Sequence, residues 1–207
     1  MACPPSTWSL QTRLFLGYSQ GVMNKDPLPL YDILTPAKVM IFVDGENLAM
    51  RYKAMIENGQ PTQPHVQHEP DVFVWTDFAN LKHHSRCQVI RRYYYTCAQG
   101  DDEKLEKLTG LKVVGIEAPF VFKEEKGRKS KQVDISLATD MLTHAFRKNY
   151  DMAVLVAGDE DYIPLVKAVM SEGRRVVLWF VQDGLSSKLV NTVDYCFDLG
   201  TVLFGNA

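Results

Sequence analysis

Cysteine is scarce in this sequence: four residues of 207, at Cys3, Cys87, Cys97 and Cys196. They are scattered, with no CxxC or Cys/His spacing, which argues against a zinc site and fits reduced thiols in a cytoplasmic protein. There is no surplus of positive charge either. The net charge is −2 and the pI about 6.2, so contact with a nucleic acid must rest on a local patch. No apolar run approaches the ~20 residues of a membrane span. The N-terminus, with Pro4 and Pro5, lacks the charged-then-apolar pattern of a signal peptide. Neither membrane insertion nor secretion is expected. Also missing are GxGxxG and GxxxxGK[ST] phosphate loops, internal repeats and low-complexity segments. What is left is 46% apolar and 23% charged, an ordinary globular composition, in a chain long enough for one sizeable domain with an arm.

The most informative stretch is KVMIFVDGEN, Lys38 to Asn47. Val39 to Val43 is an unbroken apolar run, the pattern of a central strand in a parallel sheet. It ends on Asp44, and open α/β sheets bind ligands in the crevice outside the carboxyl ends of their strands. Gly45 permits a turn there. Ala153 to Ala157 is a second such run, ending in Gly158, Asp159, Glu160 and Asp161.

Residues 1–37 are expected to form an irregular arm, broken by Gly17, Gly21, Pro27, Pro29 and Pro36, and 38–207 a domain. Further helices are expected over Leu48–Ile56, Val72–His84, Asp101–Leu108, Gln132–Asn149, Tyr162–Met170 and Ser186–Val193. Further strands are expected over Cys87–Cys97, Leu111–Ile116 and Arg175–Val181, with Phe197–Leu203 a last strand or tail. His65 and His68 read as solvated residues of a polar loop. Strands alternating with helices imply an α/β fold around a mostly parallel sheet. The one basic feature is the loop Lys123–Lys131, with Lys126, Arg128, Lys129 and Lys131. It reads either as a solvated loop or as a phosphate contact, and its place just before the next acidic motif favours the latter.

Parallel strands put Asp44 and Asp159 on one edge of the sheet. Asp134, in the first turn of the helix before the second strand, can reach that edge, as can Asp161. Each has a milder reading. Asp44 can cap a turn, Asp134 can be a charge favoured by a helix dipole, and Asp159 or Asp161 can be an N-cap. Asp140 lies about 120° round the helix from Asp134, so a surface or supporting role is as open as ligation. Glu46 and Glu160 read as loop charges. Jointly, the aspartates repel one another and call for compensation. A hard cation such as Mg2+, which takes oxygen ligands and works beside phosphates, supplies it. If so, Asp159→Asn, which removes one charge, should raise the melting temperature of the metal-free protein. A covalent aspartyl-phosphate mechanism needs a second aspartate two residues after the first, where Glu46 stands.

Val43–Leu48 (VDGENL), Lys131–Met141 (KQVDISLATDM) and Val156–Val166 (VAGDEDYIPLV) resemble the three signature motifs of the NYN domain family, within the PIN-like ribonuclease superfamily. The resemblance covers about residues 38 to 200. It implies a Rossmann-like three-layer fold and a ribonuclease site in which Asp44, Asp134, Asp159 and Asp161 hold Mg2+ or Mn2+. It also implies that Asn47 orients a ligand or phosphate and that Lys131 lies near the phosphate path. With Lys126, Arg128 and Lys129, Lys131 is then expected to hold the RNA backbone. Two other readings are weighed beside this one: a non-catalytic RNA-binding or regulatory protein on the same fold, and a phosphohydrolase of small esters. The sequence leaves the oligomeric state open, a homo-oligomer included.

Overall fold

The computed structural model describes residues 36–80, 86–99, 115–116, 118–124 and 132–205. In chain order these form β1 (Ala37–Asp44), α1 (Gly45–Glu57), β2 (Val66–Glu69), β3 (Phe73–Thr76), β4 (Cys87–Gln99), β5 (Ala118–Glu124) and α2 (Gln132–Phe146). There follow β6 (Met152–Val156), α3 (Ile163–Ser171), β7 (Arg175–Phe180), α4 (Ser187–Val190), β8 (Tyr195–Asp198) and α5 (Gly200–Leu203).

Six strands make one sheet in the order β5-β4-β1-β6-β7-β8, and every pairing in it is parallel. The order reverses at β1: the chain adds strands on one side as far as β5, then returns to β6 on the other. That reversal opens the crevice between the carboxyl ends of β1 and β6. Alternation along β1 splits the core in two. Val39, Ile41 and Val43 pack with Leu48 and Tyr52 of α1. Met40 and Phe42 pack with Leu137 and Met141 of α2 and Val166 of α3. The sheet is therefore the middle of three layers. No helix among the described residues is long and apolar enough to cross a membrane.

Several expectations need correcting. Phe73–Thr76 is a strand where Val72–His84 suggested a helix; it pairs antiparallel with Val66–Glu69, inside the supposed loop. All four of its residues are buried, so their near-helical spacing carried no information about a single wet face. Tyr94 on β4 hydrogen-bonds the Val74 N–H through its hydroxyl at 3.0 Å, tying this hairpin over the α1 face. His68 lies in β2 with its ring against Tyr52, and His65 bonds the Val202 carbonyl at 3.0 Å. Of the expected strand Leu111–Ile116, residues 111–114 lie outside the described residues, Gly115 and Ile116 are not in a strand, and β5 runs Ala118–Glu124. Lys123 and Glu124 end that strand and are not loop. The last segment divides into β8 and the short α5. Ala37, assigned to the arm, starts β1. The rest of the arm up to residue 35, the Asp101–Leu108 helix and the basic residues Lys126, Arg128, Lys129 and Lys131 lie outside the described residues.

Candidate active site

The site begins with how β1 hands over to α1. Asp44 is the last residue of the strand and the N-cap of the helix, its Oδ1 accepting from the Asn47 N–H at 3.0 Å. A carboxylate suits that position because it satisfies a helix-end donor and meets the positive end of the dipole. Capping uses one oxygen and leaves Oδ2 for other work, so the capping reading and the functional one are compatible. Gly45 is needed for space more than for turning: it is already helical, and a Cβ there would run into the Tyr94 ring. Asn47 and Arg51 follow on the buried side of the first turns.

The second strand end delivers Asp159, Glu160, Asp161 and Tyr162. Residues Glu160–Tyr162 form one 3-10 turn, with Asp159 as its N-cap residue but without a side-chain capping bond. Tyr162 turns inward and is buried. Its hydroxyl lies 2.9 Å from Asp44 Oδ2 and 3.0 Å from Asp134 Oδ1, joining β1 to the first turn of α2. Asp159 joins the same edge by a different route: Asn47 Nδ2 donates to its Oδ2 at 2.8 Å, and the Arg51 guanidinium pairs with its Oδ1 at 2.7 Å.

One hydroxyl carries one proton and cannot donate to two carboxylates at once. Burial pushes Asp44 up from 3.8 to about 7; the charges of Asp134 and Asp159 add to that rise, and the bonds from Asn47 and Tyr162 oppose it. With Asp44 ionised the hydroxyl serves one carboxylate at a time; with a proton on Asp44, that group can donate to the tyrosine oxygen while Tyr162 donates to Asp134. Burial and the two adjacent carboxylates hold the Tyr162 hydroxyl far above its ordinary value, so it keeps its own proton.

Of the expected site residues, the structure thus brings together Asp44, Asn47, Asp134 and Asp159. Asp161 is exposed in the 3-10 turn, and no contact among the described residues links it to the others. Asp140 accepts from the Tyr95 hydroxyl at 2.8 Å, a supporting bond beneath α2. Glu46 lies in the first turn of α1 rather than in a loop, and Glu160 pairs with Lys188 at 3.1 Å. Two residues escaped sequence reasoning. Tyr162 stands inside the third acidic motif, where an aromatic reads as core. Arg51 lies four residues after Asn47, one helical turn along the same face.

The donors gathered here are carboxylate oxygens and a side-chain amide, a set that suits a hard divalent cation rather than a soft one. Among the described residues no three acidic, histidine or cysteine side chains already stand as an ion cage. Asp44 and Asp134, with water completing the shell, fit Mg2+, which keeps several of its waters.

A family model described as NYN domain matches residues 38–200. An uncharacterised protein of Methanocaldococcus jannaschii is 29% identical over 68 residues, 33% of this chain and 28% of that protein's length. The crystal structure of a protein of unknown function from Vibrio parahaemolyticus superposes with a TM-score of 0.58 at 19% identity, covering 78% of this chain and 91% of that one. That likeness concerns the fold alone.

Proposed function

The chain belongs to the NYN domain family of the PIN-like ribonuclease superfamily, a nuclease-type fold, and from that premise we propose that it is a Mg2+- or Mn2+-dependent ribonuclease. The observation that carries this reading is Asp44. It is 3% exposed, stands where the strand order reverses, and is repelled by Asp134 and Asp159. A fold keeps a buried carboxylate among like charges at some cost, and such perturbed groups gather at functional sites.

In this proposal Asp44 and Asp134, which share the Tyr162 hydroxyl, would hold the cation, and Asp159 and Asn47 border the same space. Asp161, exposed at the rim, is the remaining candidate ligand. When bound, the ion supplies an activated water and charge stabilisation on the phosphoryl group. Asp44 would hold such an ion in its ionised form, which burial disfavours when no cation is there. The substrate is RNA, held through its phosphates by Lys126, Arg128, Lys129 and Lys131, which immediately precede α2 in the chain. Phosphate contacts carry no base code, so selection rests on shape or single-strandedness. A cytoplasmic location belongs to the same proposal.

A second reading has its own support. Both oxygens of Asp159 are already engaged, by Asn47 and Arg51, as suits a non-catalytic RNA-binding protein that has kept the fold. A labelled RNA pool separates the two. Cleavage that needs Mn2+, stops with EDTA and is abolished in Asp44→Asn supports the nuclease. Binding without cleavage, indifferent to EDTA, supports the second reading.

A further inference from the structure

Arg51 is 6% exposed, an unusual state for a cation. Three directions of its fork are used. Nε donates to Asn47 Oδ1 at 2.7 Å, Nη2 donates to Asp159 Oδ1 at 2.7 Å, and Nη1 donates to the Asp183 carbonyl. With the Asn47 Nδ2 bond to Asp159 Oδ2, the three side chains close a ring. The chain around the guanidinium is cut to fit. A Cβ on Gly158 would fall 2.7 Å from Arg51 Nε, and one on Gly184, whose φ is +63°, would collide with Nη1. Two glycines from different loops therefore leave room for one planar group, and backbone from the 182–184 loop is bound to it.

The geometry points to Arg51 as a positioning residue of the acidic site. It fixes which way the Asn47 amide faces and where the Asp159 carboxylate stands, and it anchors both to the loop after β7. This rests on the divalent-cation reading above. Its charge and its shape act in opposite directions. A positive group beside Asp159 weakens cation binding by Coulomb repulsion, whereas the planar fork places the oxygens that border the cation. Lysine keeps the charge and loses the fork, and glutamine loses the charge.

Arg51→Lys and Arg51→Gln therefore make the test, with Mn2+ binding followed by electron paramagnetic resonance and the Asn47 side-chain amide followed by NMR. The expected result is about tenfold weaker Mn2+ binding in both variants, the low end of what losing a hydrogen-bonded partner around a metal site costs. It should come with loss of the distinct, slowly exchanging Asn47 amide signals, seen also without metal. A purely structural arginine would lower the melting temperature and leave Mn2+ affinity of the folded protein and the Asn47 signals alone. That outcome, or tighter Mn2+ binding in Arg51→Gln, overturns the inference. If the wild type binds no Mn2+ while the Asn47 signals still depend on Arg51, the metallonuclease reading falls and the positioning role stands.

Discussion

The two halves of the acidic site solve one electrostatic problem in different ways. On the β1–α2 side, Asp44 and Asp134 meet across the Tyr162 hydroxyl, and a proton on Asp44 removes the conflict. On the β6 side, Asp159 is paired with a guanidinium that cannot deprotonate at any ordinary pH. A proton can be exchanged for a metal ion, whereas Arg51 is a permanent part of the fold. In the proposed metal-dependent reading, the exchangeable half takes up the cation and the fixed half frames it. Carboxylates that look equivalent in the sequence differ because one is buried with an exchangeable partner and the other is half exposed with a fixed one.

The sharpest way to break this contrast is pH. Asp44 titrates near 7 in the folded protein against 3.8 ordinarily, so folding takes up a proton between those values. Its contribution is full below about pH 4 and lost as pH rises through 7. For the metal-free protein this amounts to on the order of 4 kcal/mol between pH 4 and 8. In Asp44→Asn this part of the slope should vanish. At pH 8 the variant should be more stable than wild type, since asparagine still caps α1 and the buried charge is gone. Urea titrations across the pH range test it; an unchanged slope would place the proton elsewhere.

The next effect has the opposite sign. Asp159→Asn leaves the buried Arg51 without its carboxylate and should lower stability by about 1–3 kcal/mol, less than a fully buried pair because Asp159 is half exposed. This reverses the expectation drawn from charge counting, which had the same substitution raising the melting temperature. Thermal melts of Asp44→Asn and Asp159→Asn side by side at pH 8 and without metal should move in opposite directions. Equal shifts would mean that the two halves are not distinct.

Tyr162→Phe should cost about 0.5–1.5 kcal/mol through its lost hydrogen bonds. It should also move Asp44 further up, because the tyrosine bond holds that value down. Carbon-detected NMR titration of the Asp44 carboxyl reads the shift directly; a fall would mean that the hydroxyl serves Asp44 chiefly as the acceptor of its proton rather than as a donor to its ionised form. Smallest is Asp161→Asn. An exposed residue outside the network should change stability by no more than ~0.5 kcal/mol, so any loss of Mn2+ binding or cleavage in this variant reports ligation alone.

Much of the architecture was legible because its signals are local. The buried runs Val39–Val43 and Ala153–Ala157 read as central strands, and the aspartates that follow them read as facing one edge. The hairpin was not legible, since a segment buried on all sides, Phe73–Thr76, keeps no periodic polar face to tell strand from helix. Nor were the partners in the site. Asp44 meets Tyr162 across 118 positions of sequence, and Asp159 meets Arg51 across 108. The sequence alone determined that Asp44, Asp134 and Asp159 would meet at the sheet edge, though it also counted Asp161 and missed Arg51, because strand ends and helix starts are encoded within a few residues. Only the tertiary structure decided which of them is answered by a proton and which by an arginine, because burial and pairing depend on what the rest of the chain packs against each carboxylate.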